Sequence, residues 1–354
     1  MDFLNGRLQA FLGPPGAAGA SDDLETVIMD FIDQSEHTLD IAVQELDNPR
    51  IAAAIDRAAR RKRPGTNKFI RVCLVTEGDY LKEDKPVDPP DKEVSLDINR
   101  RHFVTLLRGA VDTKIDFNPK IFHHKFIIRD RGEAREAVLT GSTNFTTTDT
   151  HRNLNHVVIF HDIGVAAAYQ SEFDQLRDGI FGARSPKLAS TDPLTLDIEG
   201  SLVQIMFSPD NNPELRIVNE ILKAQTSAYF MMFTFAKTTT IDDALITKLQ
   251  GGIFEVVGVL DGGQSAHSWS PHKTLLNEGA KLRRETLPNN GKLHHKLIVL
   301  DDHTVIGGSF NYTGPANQYN DENLFLVRDP NVAAFFKTEV KRVFESNALS
   351  ADFQ

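Results

Sequence analysis

Apolar positions along this chain alternate between helical and strand spacing, and they do so twice. Leu24, Val27 and Phe31 recur at helical intervals, and so do Leu215, Val218 and Leu222. A capping signal precedes each helix: Ser21–Asp22 in the first case, Asn212–Pro213 in the second, where proline suits the first turn. Strand-like runs follow at 38–46 (TLDIAVQEL) and 227–235 (SAYFMMFTF). After a short helix come further strands at 69–78 (FIRVCLVTEG) and 254–263 (FEVVGVLDGG). Helix–strand–helix–strand, then more strands and a closing helix, predicts an α/β fold with a mixed sheet in each half. Leu4, Leu8, Phe11 and Leu12 are expected to form one short amphipathic turn that docks on the body or on a partner.

The repetition extends to the polar positions. FHHKFIIRD, ending at Asp130, returns as LHHKLIVLD, ending at Asp301; LTGSTNFT (139–146) returns as IGGSFNYT (306–313). A duplication accounts for both. Its expected boundaries are 1–183 for the first repeat, 184–200 for a linker and 201–354 for the second. The first copy carries about 20 extra residues before Phe69 and between Gly78 and His123. One addition falls in a basic run, residues 57–71, with seven Lys/Arg and no acid. The other includes a polar, proline-bearing segment, 79–97, that reads as a long loop.

Alternate strand residues share a face, so His123 points with Lys125 and His294 with Lys296. An imidazole beside an ammonium suits a phosphate: the lysine neutralises anionic oxygens, and the histidine attacks or transfers a proton. The Gly-Ser turns suit close backbone approach to an anion, and Asn144 and Asn311 add uncharged amide donors. Asp130 and Asp301 read as strand-end acceptors supporting the motif. His124 and His295 alternate onto the opposite face as packing residues, with no ligand set for a metal.

Two copies of H-x-K-x4-D followed by G-S-x-N resemble the phospholipase D superfamily, over residues 20–345. The resemblance implies two tandem repeats packed about a pseudo-twofold axis, with both H-x-K motifs in one active site. It implies phosphodiester hydrolysis without a metal or other cofactor. One histidine forms a phosphohistidine; the other protonates the leaving oxygen and then activates water. The implied catalytic set is His123, Lys125, Asn144, His294, Lys296 and Asn311, supported by Asp130, Ser142, Asp301 and Ser309. In many members a carboxylate just before an asparagine orients a catalytic histidine. The second copy has it as Glu322–Asn323. Pairing these with Leu154–Asn155 leaves the first copy without one, so His294 is expected to be the better supported histidine. Family habit favours the N-terminal histidine as nucleophile and Glu322 favours His294, so that choice stays open here.

Composition narrows the setting. The 354 residues carry a net charge of −10, which opposes bulk adhesion to polyanions but leaves a local phosphate site open. A single cysteine, Cys73, excludes internal disulfides and thiol-rich zinc cages. No stretch has the length of a membrane span, and the first 20 residues do not read as a signal peptide, so a cytoplasmic protein without a stable membrane anchor is expected. Nucleic acid is the expected substrate, contacted through Arg60, Arg61, Lys62, Arg63 and Trp269. A phospholipid is the alternative, and a catalytically silent phosphodiester-binding protein the third reading.

Overall fold

In the computed structural model the described residues are 1–79, 102, 105–109, 111–182 and 192–353. The predicted loop at 79–97 lies, from residue 80 on, outside them, as do residues 184–191 of the predicted linker. The first half forms an eight-stranded sheet. Its spatial order is β1 (Asp2–Phe3), β2 (Leu8–Gly13), β8 (Asn155–Phe160), β7 (Ala137–Gly141), β6 (Lys125–Arg129), β3 (Thr38–Val43), β4 (Arg71–Glu77) and β5 (Asp112–Asp116). The second half forms a nine-stranded sheet. Its order is β17 (Ser350–Asp352), β13 (Lys281–Glu285), β12 (Glu255–Leu260), β11 (Ser227–Met232), β14 (Lys296–Leu300), β15 (Thr304–Gly308), β16 (Glu322–Arg328), β10 (Ser201–Ser208) and β9 (Leu194–Ile198). In each half the helix-linked strands pair in parallel (β3–β4–β5, β11–β12–β13) and the strands from the H-x-K motif onwards pair antiparallel.

The duplication therefore reaches further than the sequence pattern showed. β1–β2 are the counterparts of β9–β10, so residues 194–198 of the predicted linker belong to the second sheet. The predicted N-terminal amphipathic turn is instead largely strand. Leu8, Ala10 and Leu12 alternate into the core as β2 pairs with β8, a period of two rather than 3.6.

Helices Leu24–Asp33 and Pro49–Arg60 cover the outer face of the first sheet over one apolar cluster; Pro213–Lys223 and Ile241–Gln250 cover the second over another. A third cluster joins the halves. Phe126, Phe160 and Tyr169 share it with Ile205, Phe207, Leu297 and Phe325, and helices Ile163–Arg177 and Pro330–Glu345 pack into it. Two local details differ from the sequence reading. Asp23, one residue beyond the expected Ser21–Asp22, caps the first helix by accepting from the Glu25 and Thr26 amides. In the Pro213 helix the buried aliphatic side chains beyond the first turn are Ile217 and Ile221, while Leu215 and Leu222 are exposed. The Asn212 cap accepts from the Leu215 amide, as its residue type suggests.

Candidate active site

The two H-x-K strands meet at the junction of the halves, and the backbone holds them there reciprocally. The His123 amide donates to the Asp321 carbonyl at 2.9 Å, and the His294 amide donates to the Leu154 carbonyl at 2.9 Å. Short parallel bridges Phe122–Asp321 and Leu154–Leu293 complete the pseudo-symmetric exchange. This brings His123, Lys125, His294 and Lys296 to one place, all buried. Each lysine folds back on its own motif: Lys125 Nζ donates to the His123 carbonyl (2.9 Å) and Gln44 Oε1 (3.2 Å), and Lys296 Nζ to the His294 carbonyl (2.7 Å).

The carboxylate crosses between halves. Glu322 Oε2 lies 2.5 Å from His123 Nδ1, not on His294, and accepts from Ser309 Oγ at 2.7 Å. The register explains the correction. Asn155 Oδ1 accepts from Ser142 Oγ at 2.7 Å and lies 3.1 Å from His294 Nδ1, so Asn155, not Leu154, is the counterpart of Glu322. The Asn155 amide nitrogen donates to the Asp149 carbonyl, which fixes its oxygen towards Ser142 and His294. With acceptors at both Nδ1 atoms, each imidazole carries its proton on Nδ1 and presents Nε2 as the reactive nitrogen.

The turns that carry Ser142 and Ser309 need glycine. A Cβ on Gly141 or Gly308 would sit 2.2 or 2.3 Å from the carbonyl of His156 or Asn323, at φ of 150° and 142°. These turns deliver Asn144 and Asn311, whose buried Oδ1 atoms have no hydrogen-bond partner among the described residues. Asp130 and Asp301 stand apart at the far strand ends. Asp130 accepts from the Glu36 and His37 amides, and Asp301 from the Gln225, Thr226 and Ser227 amides.

Electrostatically the site is tense. Burial, then the ammonium groups of Lys125 and Lys296, hold His123 well below the usual imidazole range. Burial and the same two lysines do so for His294. Burial pushes Glu322 up to about 7, against the pull of Lys125, and brings Lys125 down to about 8. Burial, then Lys125, holds Lys296 well below the usual ammonium range, while Glu322 and Asp149 pull protons back onto both lysines, and a bound anion adds to that pull.

The family described as "Cardiolipin synthase, PLD-like domain" matches residues 28–177 and 217–344. The chain belongs to this family, within the phospholipase D superfamily. It is 30% identical over 154 residues to a phospholipase D of Rickettsia prowazekii, covering 43% of this chain and 73% of that protein. It is 30% identical over 139 residues to the mitochondrial cardiolipin hydrolase of Xenopus tropicalis, covering 39% of this chain and 64% of that protein. Phosphatidylserine synthase of Haemophilus influenzae, 12% identical, shares the fold over 96% of this chain and 86% of its own, with a TM-score of 0.66.

Other predicted contacts of this phospholipase D-like chain separate by position. Arg71 pairs with Thr38 at the sheet end opposite the Val43–Lys125 pair, roughly 16 Å away along the strand. Residues 61–70 therefore lie at the far end from the histidines. There Arg60 pairs with Asp56, Arg61 with Ser35, Lys62 with Asn67 and Arg63 with the Phe69 carbonyl. The double substitution R60A/K62A is expected to change kcat/KM on short phosphodiesters by less than about twofold, measured against wild type. Trp269 lies in a loop leaving β12 at the site end; it is half-buried and stacks on His267.

Sequence reading missed three features. Phe233, the counterpart of Gln44, packs its ring 4.7 Å from the His294 ring and under Lys296. His124 is bound by Asn323 and Glu172, and with Asp321 these acids bring ligand-type atoms within 4.8 Å, a set the sequence did not reveal. Both His124 nitrogens and Asp321 Oδ1 are engaged within the protein, so the group closes a polar network at the interface. Asp149 lies at the site without any sequence signal of its own. Among the described residues no helix is long and apolar enough to cross a membrane.

Proposed function

We propose that the protein is a phosphodiesterase in which His123 is the nucleophile and His294 the general acid and base. The observation that carries this assignment is the Glu322 carboxylate on His123 Nδ1. It fixes the tautomer and faces the positive ring charge that phosphorylation at Nε2 creates. His123 Nε2 attacks phosphorus while the bond to the leaving oxygen breaks, and His294 gives that oxygen a proton from Nε2. Water then attacks the phosphohistidine, His294 takes its proton, and the N–P bond breaks to return His123. Lys125, Lys296, Asn144 and Asn311 hold the non-bridging oxygens and stabilise charge in both transition states. The negative charge of the bound phosphodiester adds to that of Glu322 and Asp149 against the two lysines, and so raises the affinity of His294 for its catalytic proton.

For the substrate, a phospholipid headgroup ester has the better support. The basic run that favoured nucleic acid sits at the far end of the sheet. Exposed apolar groups occur at several places on the surface, and three of them lie on the two segments that lead into the site. Phe117 (73% exposed) and Ile121 (46%) precede His123, and Tyr319 (39%), with Lys120 against its ring, precedes Glu322. Apolar side chains beside a cation at the mouth of a phosphate site match a lipid surface. The relatives reported above, a phospholipase D and a cardiolipin hydrolase, point the same way. The activity is expected in EDTA, with anionic phospholipid vesicles turned over faster than single-stranded DNA or RNA; the reverse order refutes the lipid reading. The pair F117S/I121S should lower turnover on vesicles about tenfold, while monomeric short-chain substrate changes by less than about twofold.

A further inference from the structure

We propose that Asp149 is the positioning carboxylate of His294, standing in for the charge that the first repeat lacks on β8. The inference rests on the phosphodiesterase reading and deepens it by assigning the acid–base half of the site.

The two halves differ at one equivalent position. Ser309 donates to Glu322 and Ser142 donates to Asn155, and the two acceptors face His123 and His294. An amide orients an imidazole as well as a carboxylate does, but it cannot balance the charge of an imidazolium. The missing charge has moved 6 residues back along the chain. Asp149 Oδ2 lies 3.4 Å from His294 Nδ1, and the residue is only 4% exposed.

Its placement is over-determined. Oδ2 accepts from the Asn144 amide at 2.8 Å, Oδ1 accepts from Asn153 Nδ2, and the Asp149 amide donates to Thr146 Oγ1 at 3.0 Å. The offset that relates Ser142 to Ser309 brings Asp149 onto Ala316, so the second repeat has an apolar residue there and its carboxylate on β16. Each histidine thus faces one carboxylate from the other repeat: Glu322 for His123 and Asp149 for His294. The negative charge of Asp149 also raises the proton affinity of both Lys125 and Lys296, as its central position requires.

The test separates positioning from a purely structural role. D149N keeps the shape and an acceptor for the Asn144 amide. It should lower kcat/KM roughly 10–100-fold on an alkyl phosphodiester, whose leaving oxygen needs a proton. On a p-nitrophenyl ester, whose leaving group needs none, the loss should stay below about threefold. D149N/N155E restores one buried carboxylate in the arrangement of Glu322, and should recover most of the alkyl-ester rate. Equal losses on both esters, or no recovery in a double variant that melts like wild type, overturns the assignment. A readout independent of turnover uses 13C-labelled histidine and NMR. The His294 titration should fall by about one pH unit or more in D149N and return in D149N/N155E. An unmoved His294 titration refutes the role of Asp149 whatever the enzyme hydrolyses. A shifted titration in a protein that cleaves no phosphodiester supports Asp149 and refutes the phosphodiesterase reading instead.

Discussion

Replacing His123 by asparagine is expected to lower turnover by roughly 10⁴-fold or more on every phosphodiester, activated or not. Without an imidazole Nε2 there is no covalent step, and the remaining lysines and amides only bind the phosphate. H294N should behave differently. It removes the proton donor and the activator of water but leaves the nucleophile with its Glu322 partner. On a p-nitrophenyl ester H294N should still release a burst of nitrophenol equal to the enzyme present and then stall, because the phosphoenzyme cannot be hydrolysed. The two histidines lie in nearly symmetric strands, so unequal behaviour of the two variants reports the asymmetry of their partners. Stopped-flow release of nitrophenol measures both. A burst in H123N and none in H294N reverses the roles.

The second large effect concerns pH. Glu322 is pushed up to about 7 by burial, so it takes up a proton as pH falls through that value. Once protonated, the carboxyl donates to His123 Nδ1, the ring proton moves to Nε2, and the nucleophilic lone pair is lost. Activity therefore falls on the acid side of about pH 7. Lys125, brought down to about 8 by burial, loses its charge as pH rises through that value and no longer attracts the phosphodiester. On a p-nitrophenyl ester, whose leaving group needs no proton from His294, the profile of kcat/KM, which reports the free enzyme, is expected to be a bell with its acid limb near 7 and its alkaline limb near 8. E322Q should reduce kcat/KM by roughly 10²-fold or more and remove the acid limb near 7, and the alkaline limb should move to lower pH because the Glu322 charge no longer helps hold the Lys125 proton. An acid limb that survives unchanged in E322Q assigns it to another group.

How far the sequence was legible follows from the range over which each feature is encoded. The H-x-K and G-S-x-N motifs are local: one strand or one turn sets each geometry, so their positions could be read directly. The duplication was readable because both copies repeat these local signals. Partners across the interface were not. Glu322 and His123 are 199 residues apart, and only packing of the two halves decides that the carboxylate serves the opposite histidine. The same packing hides the equivalence of Asn155 and Glu322. A pairing shifted by one residue turns every side chain to the other face of a strand, and Leu154 then stood where Asn155 belongs. The Pro213 helix shows the helical version of this error: Leu215 and Leu222 satisfy the apolar period, yet Ile217 and Ile221 face the sheet. The basic run misled for another reason. Charge is visible in a sequence, but which end of the sheet it decorates depends on strand direction, and β4 starts at the end away from the histidines. Asp149 had no signal, since a carboxylate in a short helix after G-S-x-N reads as an ordinary helix-start residue.

The central claim, a covalent route through His123 with its partner carboxylate borrowed from the other repeat, is tested most directly by trapping the intermediate. Substrate labelled on phosphorus is mixed with H294N, quenched in base to preserve phosphohistidine, and the labelled peptide is mapped by mass spectrometry. The account predicts one acid-labile phosphoryl group per chain, on His123. No label in H294N with label on His294 in a parallel H123N reaction, or turnover by the wild-type protein with no covalent phosphorus on either histidine, contradicts it.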